Sequence, residues 1–414
     1  MYYGLETRLA NIGFILFFPI FFFFHFAIAW LNLPLHIGLF GETALLIVIL
    51  FPTLFFPAVF RVMQGSSLIS IIFFLLLGYC ALWTLGGMAL IPTDEIPEGA
   101  IPQLASLIAL WTALFFTGLF VNVDSTVMRW LVSISLLGMA GIVAHFIDPH
   151  YFVMNPNWLF QNHSVTSYQG FTRSAMITAI ALISAMRNIT WRLVLSSLCI
   201  FLVFTLGARS ELYGLIFVIA AFESFRALRK PLAILPVMLV VLIVMGTLIG
   251  NFDTISSSRQ FNVLDLSQDT SWTLRESETS FAMRQISDSP ILGEFAGHFD
   301  AGSAGTYSHT VLSSWVSFGL VGFLLYIVIS IISLWKTIKA GCREIMSTRW
   351  RFAFYMNVSS FIMILGAKPV FWPIIALAWG ATVNAAYSDR FDAIASHVKP
   401  IAAAKGKRTS SSLT

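Results

Sequence analysis

Residues 68–90 read LISIIFFLLLGYCALWTLGGMAL, without one charged side chain. A helix needs about 20 consecutive apolar residues to cross the hydrocarbon core of a bilayer, and this run supplies them. Runs of the same grade recur on both sides of it. They predict about twelve spans: roughly 11–31, 38–60, 68–90, 103–121, 128–147, 170–186, 190–207, 210–226, 232–250, 311–335, 352–366 and 370–387. The whole composition agrees. The chain is 57% hydrophobic and 11% charged, with a mean hydropathy of +0.83. A soluble domain carries about 25% charge, and no ordinary core hides this much apolar surface, so lipid must solvate it. The expected fold class is therefore all-α: a polytopic membrane protein with one transmembrane helical domain over 1–400. One large external loop, 251–308, lies between the ninth and tenth spans. The polar, basic tail 401–414 reads as disordered.

Residues 11–30 are long enough to span, and no small-residue cleavage site follows them, so no cleavable signal peptide is expected. Cys80, Cys199 and Cys342 are too scattered for a disulfide framework or a zinc site. The pI near 9 comes from short basic clusters between apolar runs. This is the pattern of membrane topology rather than of nucleic-acid binding. With both termini in the cytoplasm, eighteen of the 24 Lys and Arg fall inside and six fall outside. The opposite orientation reverses that ratio. The chosen one makes the 251–308 loop external, which is periplasmic if the membrane is a bacterial inner membrane.

The six outer bases are Arg173, Arg209, Arg259, Arg275, Arg284 and Lys368. Outer cations do not assist insertion, so they need another reason. Solubility of the loop is sufficient for Arg259. It is a poor reason for Arg209, which sits in Leu206-Gly207-Ala208-Arg209-Ser210-Glu211 between two apolar helices. Ionisable groups at such boundaries tend to face a cavity or a partner, and Glu211 is the nearest partner. Arginine presents a planar fork that binds phosphate bidentately and keeps its charge. Several outer arginines would thus suit a lipid-linked pyrophosphate. The acidic residues of the loop are scattered, and no DxD, HExxH or Cys/His spacing is present, so no metal or other cofactor is expected. His309, beside Tyr307 and Ser308, stands where the loop ends and an apolar helix begins. Histidine is the side chain that exchanges protons near neutral pH, which makes it the candidate acid, base or phosphate ligand.

Three pieces, in this order, resemble the O-antigen polymerase and ligase superfamily of bacterial envelope enzymes. The first is Gly207-Ala208-Arg209-Ser210 before an apolar helix. The second is Arg275 about fifteen residues ahead of Pro290-Ile291-Leu292-Gly293, followed by Gly297-His298-Phe299. The third is Ser308-His309-Thr310 with Gly319-Leu320-Val321-Gly322. The resemblance covers roughly residues 205–330. It implies a metal-independent membrane glycosyltransferase of the bacterial inner membrane that takes an undecaprenyl-pyrophosphate-linked glycan as donor. Its partners would be membrane lipid and the chain-length regulator and flippase of the same pathway. His309, Arg209 and Arg275 would be catalytic. Arg284, Arg173, Lys368, Glu211 and Tyr307 would bind pyrophosphate or glycan. Arg284 competes with Arg275 for one role, and distance to Pro290 favours Arg275. A polymerase joining repeat units into O-antigen or exopolysaccharide is preferred, because the loop is compact. A ligase acting on lipid A core is the alternative. A lipid-linked oligosaccharide transporter, of another class, shares the span count, though its polar residues would be expected at the midplane.

Overall fold

The computed structural model describes residues 3–31, 67–92, 94–148, 152–154, 168–227, 270–299, 308–342 and 346–389. The expected spans at 38–60 and 232–250, the tail, Arg259 and Tyr307 lie outside the described residues. Among those described, the chain is helical, and its one extended pairing is an isolated bridge between Ile147 and Met154. The helices are α1 (Tyr3–Ile15), α2 (Phe21–Leu31), α3 (Leu68–Leu90), α4 (Ala100–Phe120), α5 (Thr126–Phe146), α6 (Tyr168–Ala185), α7 (Ile189–Thr205), α8 (Arg209–Ala227), α9 (Thr270–Asp288), α10 (Leu312–Gly341), α11 (Thr348–Gly366) and α12 (374–389). A wide turn, Leu16–Ile20, joins α1 to α2 without interrupting the rod. Pro19 sits inside it. Proline lacks an N–H and crowds the preceding turn, and the widened turn relieves both problems.

Among the described residues, five helices are long and apolar enough to cross a membrane: Gly4–Leu31, Leu68–Leu90, Ala100–Phe120, Thr126–Phe146 and Leu312–Gly341. The chain is a helical membrane protein. α6, α7, α8, α11 and α12 coincide with the remaining apolar stretches among the described residues but are shorter or more polar. The reason for α6, α11 and α12 is their position. α6 is buried from Phe171 to Ala185 apart from Arg173, and α11 and α12 are buried along most of their length. A helix surrounded by protein needs no lipid-compatible exterior, so it can carry polar side chains that find partners. Asn357 on α11 donates to the carbonyls of Ala353 and Ala378 at 2.8 and 3.1 Å and to Thr382 Oγ1 at 2.8 Å. Thr382 Oγ1 also meets Ser333 Oγ of α10 at 2.8 Å. This polar knot ties α10, α11 and α12 together. α5 shows the opposite pattern: Val127, Trp130, Leu131, Ile134 and Leu137 are exposed, as a lipid-facing stripe should be.

Small residues set the closest helix approach. A Cβ on Gly118 of α4 would collide with the Leu377 carbonyl, and one on Gly380 of α12 with the Phe115 carbonyl. Between membrane helices, where lipid is as apolar as leucine, such backbone contact is the main source of packing energy. Beside it, Trp111 stacks on Tyr326 and Phe73 on Phe115, with ring centroids 5.7 and 3.9 Å apart.

The sequence reading treats 251–308 as a polar loop. Within it the structure has a 19-residue helix, α9. No glycine or proline interrupts Thr270–Asp288, and Glu278, Ala282, Gln285 and Ile286 line up at helical spacing on its buried side. That face packs on α10, with Ala282, Ile286 and Val316 in one small apolar cluster.

Candidate functional site

The turn between α7 and α8 is only Leu206, Gly207 and Ala208. Gly207 has φ 90°, a left-handed conformation that lets so short a link reverse the chain. Arg209 is consequently the first residue of α8, held at the mouth of the bundle. α6 begins beside it, and Thr172 of α6 donates to the Leu206 carbonyl at 3.2 Å.

The second half of the site is built on a break. α10 contains Gly319 at φ 64°, ψ −171°, a conformation open essentially only to glycine. The Pro290–Gly293 turn docks into that break. Leu320 N donates to the Ile291 carbonyl at 3.0 Å, Glu294 N to the Val316 carbonyl at 2.7 Å, and Trp315 Nε1 to the Pro290 carbonyl at 2.7 Å. Gly293 has φ 72°, and a Cβ there would strike the Gly319 backbone, as one on Gly319 would strike Ile291 and Leu292. The two glycine motifs are two sides of one joint, which fixes α9 against α10. Gly319→Ala should therefore lower the melting temperature of the purified protein by several degrees: the strain costs about 1–3 kcal/mol before the clash. A wild-type melting curve would refute the joint.

The joint turns Arg275 and Glu278, one helical turn apart on α9, toward the α7–α8 turn. His309 arrives in the short turn before α10, whose start is stapled by Thr310: Leu312 N donates to Thr310 Oγ1 at 3.3 Å and Ser313 N to the Thr310 carbonyl at 3.1 Å. The result is a cleft of about 170 Å³ lined by Tyr168, Gln169, Gly207, Ala208, Arg209, Ser210, Leu274, Arg275, Glu278 and His309. Arg209, Arg275 and His309, the three expected catalytic residues, share it.

His309 Nδ1 lies 2.8 Å from Glu278 Oε2. The carboxylate is buried and the imidazole partly open. Arg275 makes no hydrogen bond or ion pair with a described residue. Under the cleft, Lys368 Nζ pairs with Glu211 Oε1 at 2.6 Å and donates to Gln169 Oε1 at 3.2 Å, while Ser210 Oγ donates to Glu211 Oε2 at 2.6 Å. Both members of this ion pair are buried, an arrangement that holds only when the remaining lone pairs are also engaged. It locks the starts of α6 and α8 to the link between α11 and α12. Arg173, one turn along α6, lies in the field of Glu211 and has its guanidinium carbon 5.5 Å from the Phe21 ring centroid. Glu211 and Lys368 thus support the cleft through Ser210 and Gln169.

Arg284 stands elsewhere. It is exposed and lies over the Phe281 ring at 5.7 Å. Nine residues from Arg275 is two and a half helical turns, so the two arginines point to opposite sides of α9. The sequence reading did not single out Glu278, Gln169 or Tyr168. Glu278 had a signal: three residues after Arg275 on a helix is the same face. Gln169 and Tyr168 had none, because a glutamine at a helix start has no chemistry of its own to flag it. Among the described residues no three His, Cys, Asp or Glu side chains gather as a metal-ligand group. His25, inside α2, is buried with Nδ1 3.0 Å from the Phe21 carbonyl, a packed helix residue.

The cleft is rich in cations. Arg209 and Arg275 line it against Glu278, with the buried Lys368–Glu211 pair behind Gln169 and Ser210. Compared with family models, with curated proteins and with solved structures, the chain matches none.

Proposed function

We propose that the chain is a membrane glycosyltransferase that uses a polyprenyl-pyrophosphate-linked glycan as donor and joins repeat units into a polymer at the outer face. The observation that carries this reading is the meeting of Arg209, Arg275 and a carboxylate-paired His309 in one cleft, although they come from three separate segments. Two arginines there suit the two phosphates of a pyrophosphate leaving group. In the tautomer that gives the Nδ1 proton of His309 to Glu278, Nε2 is the basic nitrogen. In the proposed reaction the acceptor hydroxyl gives its proton to Nε2 and its oxygen bonds the anomeric carbon. The bond from that carbon to the pyrophosphate oxygen breaks, and lipid pyrophosphate departs with a charge that the arginines stabilise.

Twelve spans, cytoplasmic termini and an outer position for the cleft belong to the same proposal. A transporter would place polar groups and broken helices around a midplane cavity. Among the described residues, the break at Gly319 in α10 is filled by the Pro290–Gly293 turn and does not line the cleft. The ligase reading shares the chemistry and differs in acceptor.

Reconstitution tests the reaction. The purified chain in liposomes, given undecaprenyl-pyrophosphate-linked repeat units alone, should yield a ladder of polymer. Product formed only after lipid A core is added would make it a ligase, and no product with either acceptor would refute the transferase reading. A topology reporter fused at Gln268 should behave as external, and a cytoplasmic reporter there would reverse the orientation.

A further inference from the structure

α6 and α8 each have one end in the cleft just described. Their other ends, roughly 27 Å away at 1.5 Å per residue, meet around a second and larger cavity of about 420 Å³. Arg187 follows the end of α6, Arg226 lies in the last turn of α8, and Arg351 in the first turn of α11. All three line this cavity, with Asp124 as the one acidic residue among the described residues of its lining.

The positive-inside rule explains why basic residues gather at this end, but it does not explain where their charges sit. A base that serves topology alone can stay in water, as exposed Arg129 does. Arg351 is 8% exposed, and its donors go to the Ser184 and Met346 carbonyls and to Thr348 Oγ1 at 2.7, 3.0 and 3.0 Å. No described carboxylate lies within ion-pair distance of it. Arg226, half-buried, has neither a hydrogen-bond nor an ion-pair partner among the described residues. The neighbouring buried Arg192 is neutralised by Glu223 through two bonds of 2.6 and 2.9 Å, so Glu223 is already engaged. Arg187 is 3.6 Å from Asp124, with its side chain 79% exposed. Among the described residues the cavity thus holds three cations against one carboxylate, and one of those cations is buried. The field of Asp124 reaches Arg351 and that of Glu223 reaches Arg226, but neither carboxylate pairs with them, and a buried charge without a direct partner is costly.

We propose that this cavity is a second anion site, which binds the phosphate group of a phosphate ester between Arg226, Arg351 and Arg187. Phosphate supplies the missing negative charge and accepts the forked donors that Arg226 and Arg187 still offer. Phe222, Phe225, Phe354 and Met346 add an apolar side to the lining, beside Ser347 and Thr348, and suit the apolar part of an anionic phospholipid better than a bare ion. The site is separate from the proposed transferase cleft and does not depend on it.

Melting curves of the purified full-length chain in neutral detergent test the proposal. Phosphatidylglycerol should raise the melting temperature saturably and phosphatidylcholine should not. Arg187→Gln, at an exposed position that folding tolerates, and Arg226→Gln should each weaken the apparent affinity about tenfold or more, as expected for losing a charged hydrogen-bond partner. Arg129→Gln and Arg275→Ala should leave it unchanged. If inorganic pyrophosphate alone gives the same shift, with the same sensitivity to Arg187 and Arg226, the site stands and its ligand is a soluble phosphate. The proposal is overturned if neither probe shifts the curve, if the shift survives in the Arg187→Gln/Arg226→Gln double variant, or if Arg275→Ala removes it.

Discussion

Arg275→Ala should reduce polymer formation by at least 10²–10³-fold while the protein still inserts and accumulates. Removing one pre-aligned donor from a developing charge costs about that factor in rate, and here the charge is a departing pyrophosphate. Arg209→Ala should do the same. Arg275→Lys should rescue poorly, because an ammonium is a point charge where two oxygens need a fork. Arg284→Ala is the internal control. It lies on the far side of α9, stacked over Phe281, and should leave the rate within a few-fold of wild type. Turnover by membranes matched for protein level decides the matter. Normal polymer from Arg275→Ala, or loss of polymer from Arg284→Ala, would exchange the roles of the two arginines.

The second large effect is expected at His309. His309→Ala should lower the transfer rate about 10²–10⁴-fold, the usual contribution of a positioned acid or base, and leave donor binding nearly intact. Glu278→Gln should reproduce part of that loss. An amide in place of the carboxylate no longer stabilises the imidazolium that forms as His309 takes a proton, and it can orient the ring in the wrong tautomer. Single-turnover rates set beside the Kd for the donor separate this from a phosphate-binding role. A His309 variant that transfers at the normal rate but binds donor weakly would make the histidine a phosphate ligand. A Glu278→Gln variant with wild-type kinetics would make the 2.8 Å contact structural only.

Much of the fold was legible in sequence because the bilayer imposes one requirement on every span: length and apolarity over about 20 residues. Residues 68–90 meet it in full, and the helix there has the same ends. The requirement relaxes for α6, α11 and α12, which other helices enclose, so their sequences carry a weaker span signal. The polar loop hid α9, whose amphipathic pattern is short and whose buried face is completed by α10. Arg209 and His309 were identifiable from their chemistry and their positions at helix boundaries, where a charge needs a reason; Arg275 was singled out by the family resemblance, through its distance to Pro290.

Sequence alone determined that this is a helical membrane protein and which side chains are out of place in it. Composition and apolar run length suffice for that, because they express the free energy of transfer to lipid residue by residue. Only the tertiary structure decided which of those side chains work together. Gly319 breaks α10, the Pro290–Gly293 turn enters the break, and α9 is thereby rotated so that Arg275 and Glu278 face the cleft while Arg284 faces away. The same packing pairs Lys368 with Glu211 and brings Arg187, Arg226 and Arg351 around one cavity. These are contacts between groups far apart along the chain, set by the angle and register of packed helices, and no local pattern of residues encodes them.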